Sequence, residues 1–309
     1  LGARIDDLPY AASTATPLLQ HFKILEHGMA ISAGKVKLTT ALTSTGFELD
    51  NWSQRSQLSA NNVSGNFNNY AFDNLNLTAD WSGITRWKTL QPLQLSVATF
   101  NPGITVQDIR LQLSLPMATP IARPHVRIDA FAAKVFGGEL ALADAPLWDF
   151  SAAGNSATLT ASGWQLGELV ALQKKADIEA EGTLEGALPI TVVDGRVTIE
   201  SGYLRALPPG GHIRYRANES TLALANNNSE LALALDLLSD FQYQILSSEV
   251  QLDKAGTLLL GLSLEGNNPG LYEGQAVRFN INVEQNLDPL LQSLRIGDKL
   301  EQRIEDGMQ

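Results

Sequence analysis

The 309 residues carry 22 Lys and Arg against 33 Asp and Glu, giving a formal charge of −11 and a pI near 4.8. That balance argues against nucleic-acid binding, which rests on clustered cations, and the absence of cysteine removes disulfide and thiolate chemistry. The longest apolar stretch, Leu258–Leu264, is broken by Gly261 and Ser263 and is far too short for a spanning helix.

The chain opens at Leu1 without a signal-like segment, as expected of a piece excised from a longer protein, so any membrane anchor is expected outside it. After a polar lead-in, Pro17 opens a helical pattern over 17–27 (Leu18, Leu19, Phe22, Leu25) that Gly28 closes. Strict alternation follows. Val36, Leu38, Thr40 and Leu42 oppose Lys35, Lys37 and Thr39; Leu75, Leu77, Ala79 and Trp81 oppose Asn76, Thr78 and Asp80. The same period marks Leu93, Leu95 and Val97, and then Ile109, Leu111, Leu113 and Leu115. Each run predicts an antiparallel strand with one wet side. Residues 164–175, WQLGELVALQKK, predict a short amphipathic helix, and 229–238 a second one.

Residues 178–205 form the longest two-faced unit. Asp194-Gly195 between β-rich runs predicts a two-residue hairpin, because that turn needs positive φ. The implied register sets Val192 against Val197, Ile190 against Ile199, Leu188 against Ser201 and Gly186 against Tyr203 on an apolar face. The other face pairs Val193 with Arg196, Thr191 with Thr198 and Pro189 with Glu200. Extended from Ile178 to Val192, the first strand would run roughly 50 Å, and Pro189, which cannot donate to a ladder, marks an edge, bulge or break. Pro208-Pro209-Gly210-Gly211 then forces a turn before a strand at 212–217. Strands at 241–252 and 257–266 join at Asp253–Gly256, with Leu258, Leu260, Leu262 and Leu264 on one face. A last strand, 275–284, sets Val277, Phe279, Ile281 and Val283 opposite Arg278, Asn280 and Asn282, and Asp288-Pro289 opens a C-terminal helical segment within 286–309. The expected architecture is all-β and mainly antiparallel, a continuous region over 1–285 with a few short helices.

Catalysis has no support in the residues. His21, His27, His125 and His212 are scattered without metal-ligand spacing, and no nucleophile elbow or phosphate-cradling glycine loop is present. Glu179, Glu181 and Glu185 share a strand face, where carboxylates ordinarily solubilise rather than bind a cation; no metal or cofactor is expected. The physical oddity is elsewhere. Many strands carry an aliphatic face, yet few helices could cover them, so the strands cover each other as a sandwich or barrel, or leave an apolar channel. A polysaccharide-acting β protein would cluster exposed aromatics, and the five tryptophans are spread along the chain.

GTLEGALPITVVDGRVTIESGYLRALPPGGHIRY (182–215), LLLGLSLEGNNPG (258–270) and VRFNINVEQNLDPLLQSL (277–294) resemble the AsmA-like YdbH family of the Gram-negative envelope. The resemblance is strongest in the C-terminal half. It implies a periplasmic bridge anchored in the inner membrane, whose long curved β-groove shields the acyl chains of phospholipid on their way to the outer membrane. The groove lining is then expected at Ile178, Leu184, Leu188, Ile190, Val192, Val197, Ile199, Tyr203 and the apolar faces of 258–264 and 277–283. The resemblance also implies a small outer-membrane lipoprotein, YnbE, as partner at the C-terminal end, where the strand bearing Arg278, Asn280 and Asn282 would receive an added strand. The alternative is a structural or adhesive β-sandwich that holds no lipid.

Overall fold

Strands whose residues alternate in polarity must lay their apolar sides on a common surface, and here they do so by pairing in near-sequential order. In the computed structural model, residues 2–5, 10–12, 29–46, 52–67, 70–116, 119–120, 125–150, 152–173, 178–287 and 289 are described. Strands β1 (Gly2–Ile5) and β2 (Tyr10–Ala12) both pair with β3 (Met29–Ser44). A meander follows through β4 (Trp52–Phe67), β5 (Tyr70–Ser82), β6 (Arg86–Asn101) and β7 (Val106–Ser114). The short β8 (Thr119–Pro120) lies against the start of β6, so β9 (His125–Val135) takes the place beside β7. Next come β10 (Gly138–Leu142) and β11 (Leu147–Asp149), both on β9, and then β12 (Asn155–Gln165) on β10.

The C-terminal half repeats the scheme with short helices inserted. Helix α1 (Leu166–Val170) leads to β13 (Ile178–Glu181) and β14 (Thr183–Val193), which turns into β15 (Arg196–Ala206) and continues as β16 (Gly211–Tyr215). Helices α2 (Glu219–Ala225) and α3 (Ser229–Leu238) precede β17 (Phe241–Leu252), β18 (Thr257–Asn267) and β19 (Val277–Asn286). β14 pairs with β12, and β15 and β16 share β17 as neighbour. Every pairing is antiparallel, and among the described residues β19 pairs with β18 alone. The result is an open, curved sheet. Its curl is visible in packing: Val135 on β9 belongs to one buried cluster with Phe241 on β17 and Leu264 on β18.

The long strand read from Ile178 to Val192 exists with a joint at Gly182. There φ is +136°, and a Cβ would lie 1.9 Å from the Tyr243 hydroxyl oxygen, so a side chain is excluded twice over. Tyr243 is almost wholly buried at this joint and donates to the Glu181 carbonyl at 2.8 Å; burial pushes its phenol up to about 12. The opposite strand breaks at the same level, where Pro208 to Gly210 separate β15 from β16.

Two helical expectations change. The helix read over 164–175 shrinks to Leu166–Val170, because Trp164 pairs with Leu184 in the sheet and is buried there, which holds β12 extended through Gln165. Helix α2 is an addition, begun by Asn218, whose side chain accepts from the Thr221 N–H at 2.9 Å. The helix expected over 229–238 is α3. The helix expected over 17–27, and the C-terminal segment beyond 289, lie outside the described residues. No helix among the described residues is long and apolar enough to cross a membrane.

Candidate functional site

Register, which single strands cannot reveal, decides whether separate apolar faces become one surface. Here they do. Val36 lies opposite Ala60, Ala60 opposite Leu77, Leu77 opposite Leu95, Leu95 opposite Leu111 and Leu111 opposite Phe131. The row resumes at Leu142, opposite Leu159, which is opposite Leu188. A Cβ on Gly202 would touch Leu188, and Gly202 lies opposite Val250, then Leu260, then Val283 on the last strand. An apolar row therefore crosses the sheet from β3 to β19, its register interrupted between Phe131 and Leu142 and between Leu188 and Gly202. A neighbouring row on the opposite face is polar for most of its length: Lys37, Ser59, Thr78, Gln94 and Gln112.

Along the strands the apolar face has two different ends. At the rim that carries α1, α2 and α3 it is a packed core of Val135, Trp164, Leu184, Phe241, Leu246 and Leu264, with Phe279 set edge-on to Phe241 at 5.3 Å. Toward the rim that carries the Asp194-Gly195 and Asp253–Gly256 turns, burial fades. Val192 is half-buried and Val197 is 42% exposed. The turn geometry is as the sequence predicts, with φ of +51° at Asp194 and +74° at Gly195.

Most residues expected to line a groove share this face. Leu184, Leu188, Ile190 and Val192 alternate along β14, and Val197 and Ile199 oppose Val192 and Ile190. Leu258, Leu260, Leu262 and Leu264 are matched by Leu252, Val250, Ser248 and Leu246 on one side; on the other, Leu260, Leu262 and Leu264 meet Val283, Ile281 and Phe279, with Val277 opposite Gly266. Ile178 sits past the joint, opposite Tyr215, and is two residues from Ala180, which packs on the buried cluster.

Tyr203 is the exception. A bulge between Ala187 and Ile190, beside Pro189, places one extra residue on β15, so Gly186 meets Leu204 and Tyr203 meets Ala187. The expected Leu188–Ser201, Pro189–Glu200 and Gly186–Tyr203 pairs are therefore absent. One residue of slip sends every later side chain to the other face. Tyr203 ends 46% exposed on the wet side beside Arg205, while Leu204 takes the apolar place. Leu204→Glu should accordingly lower the melting temperature by more than about 5 °C, and Tyr203→Glu by less than about 2 °C; equal shifts in a thermal melt would overturn this facing.

The wet face is laced with ion pairs. The carboxylates of Glu179 and Glu185 hold Arg216 at 3.0 Å and Arg205 at 2.6 Å, which accounts for two of the three acids in that row. Arg214 and His212 converge on Asp240 and keep its carboxyl below the usual range. Among the described residues no group of acidic or histidine side chains could hold a metal. The inner-face residues Phe131, Leu142, Leu159, Leu246 and Val250 escaped the sequence reading. On β17 the reason is a bulge between Tyr243 and Ile245, which breaks the alternation that would have marked them.

A family model described as YdbH-like, intermembrane phospholipid transport protein YdbH, matches residues 13–309. The chain is also 25% identical over 141 residues to the probable phospholipid transport protein YdbH of Escherichia coli K12, a match covering 45% of this chain and 16% of that protein. No solved structure matches.

Proposed function

The chain belongs to the YdbH-like family, and on that premise we propose that its apolar sheet face carries the acyl chains of phospholipid between two membranes. The observation that supports this reading is the row from Val36 to Val283: an apolar face continuous across an open sheet, with no second sheet laid on it among the described residues. A tail on such a face keeps its methylenes from water, each worth about 0.8 kcal/mol, while the headgroup stays hydrated. Because neighbouring positions along the row offer nearly the same environment, a tail moves between them without passing through water.

The same reading places this segment in the periplasm, within a bridge anchored in the inner membrane by a part outside these residues. β19 is the edge that a small outer-membrane lipoprotein, YnbE, would extend. The rival, a packed β-sandwich, fits the buried rim around Phe241 and Leu184 but not the half-exposed aliphatic face toward the turns. Organic extraction of gently purified protein is expected to release phospholipid well above a soluble control. Protein that yields none would favour the sandwich.

A further inference from the structure

Inside the curl of the C-terminal half, the chain lays a piece of itself on the apolar face. Leu166, the first residue of α1, is buried in the packed core at the helix-bearing rim, and its N–H donates to the Gly182 carbonyl at 2.9 Å. Further on, the Gln173 side-chain amide donates to the Gln285 side-chain oxygen at 3.3 Å. Gln285 is an inner-face residue of β19: it stands opposite Leu258, which stands opposite Leu252. Residues 166–173 therefore run over the trough, from the packed rim toward the rim of the turns, and end against the last strand. Leu169 and Val170 pack on the same buried cluster as Val277, Phe279 and Ile281.

The face beneath differs from the rest of the sheet. Leu246, Ser248, Val250 and Leu264, inner-face positions of β17 and β18, are no more than 4% exposed, whereas Leu58, Leu77, Leu95 and Leu111 in the N-terminal half are half-buried. Strand neighbours shield the flanks of a side chain but not its tip, which needs cover from across the trough, where residues 166–173 lie. The segment is nonetheless loosely held. Helix α1 has five residues, too few for a helix stable on its own, and no side chain caps its N-terminus. Its Gly167 is a poor helix former, kept because a Cβ there would lie 2.8 Å from the Ala180 carbonyl oxygen. Its far end meets β19 through an exposed amide pair.

We propose that residues 166–173 are a displaceable plug for the C-terminal end of the groove, a deepening that rests on the groove reading above. The plug takes the place of an acyl chain on the inner face of β17 to β19. Leu169 and Val170 present less apolar area than one tail, so an advancing phospholipid tail outcompetes them and the plug lifts at its Gln173–Gln285 end. Opening leaves no buried charge behind, because both glutamines are hydrated once they part. When the lipid has passed, the plug reseats and keeps the last strands from water.

The chain has no cysteine, so Gln173→Cys with Gln285→Cys supplies two unique thiols. A short bis-maleimide with a cleavable disulfide at its centre joins them and holds the plug down. Phosphatidylglycerol carrying a diazirine near the end of one acyl chain then reports where tails lie, through mass spectrometry of the peptides it labels. Labelling around Leu260 and Val283 is expected to fall at least about fivefold in the joined chain and to return on cleavage, while labelling around Leu58 and Leu77 changes by less than about twofold. Leu169→Ser with Val170→Ser loosens the plug without a tether and is expected to raise labelling around Val283 about threefold, with circular dichroism as the folding control. A purely structural role for α1 would lower the melting temperature and leave the distribution of label unchanged. Equal labelling around Val283 before and after cleavage, or no rise with the two serines, would overturn the plug and leave the groove. So would thiols that the linker fails to join, or label confined to the N-terminal half even after cleavage. If no peptide of the apolar face is labelled, the groove reading falls and the plug with it.

Discussion

Leu188→Asp is expected to reduce co-purified phospholipid by at least about tenfold, while Thr191→Asp, three residues away on the same strand, changes it by less than about twofold. The difference follows from facing alone. Leu188 stands in the apolar row, opposite Leu159 and against the space above Gly202. Thr191 faces the wet side, where its hydroxyl meets Ser156 at 3.1 Å. A carboxylate at 188 must stay hydrated, and its water would interrupt the apolar row between Leu159 and Val250. The penalty for an unpaired charge in an apolar site is several kcal/mol, and each 1.4 kcal/mol is a factor of ten in occupancy. Leu188 is half-buried rather than sealed, so the carboxylate can bend toward solvent and the sheet is expected to survive. Lipid recovered by extraction and quantified by phosphorus, with circular dichroism as the folding control, decides it. Equal loading in both variants would show that lipid does not use this face.

How far this was legible in the sequence depended on whether a feature was local. Alternation at Leu75–Trp81 or Val277–Val283 is written in neighbouring residues, and the strands are there. Asp194-Gly195 declares its turn because few residue pairs accept positive φ in succession. The bulge beside Pro189 was signalled as an irregularity, but its size was not, and a single extra residue was enough to move Tyr203 to the wrong face. Gly182 gave no local sign of a joint, since the reason for it is Tyr243, sixty-one residues on in the sequence by the numbering. The alignment of Thr40, Ser56, Trp81 and Thr89 was equally invisible: each residue reads as an ordinary member of its strand, and only the register across β3 to β6 sets them side by side. What brought the separate faces into one surface was therefore pairing between strands, which no single strand encodes.

The second large effect is expected at the C-terminal edge. β19 gives its β18-facing side to ten residue pairs, from Gly266–Val277 to Thr257–Asn286, and among the described residues its other side has no strand. An edge of this length with clean alternation and no proline is a template for another strand. Its own devices against uncontrolled pairing are modest: Arg278 is held by Glu265, and Asn280, Asn282 and Glu284 are polar on the wet side. A partner strand added here would continue the face past Val283 and Ile281, so the acyl path would pass into the partner without a gap. Photo-crosslinking side chains placed at Arg278, Asn280 and Asn282 are accordingly expected to capture a small outer-membrane lipoprotein in intact cells. The same probes at Lys35 and Lys37 should not, because β3 is flanked by β4 on one side and by β1 and β2 on the other. Strand addition also predicts a pattern within β19 itself. Arg278, Asn280 and Asn282 project to one face and should crosslink to alternate residues of the added strand, whereas a docked globular surface would give adducts without that two-residue period. Capture at Lys35 and Lys37 alone, or adducts at β19 that lack the period, would remove the edge as the junction.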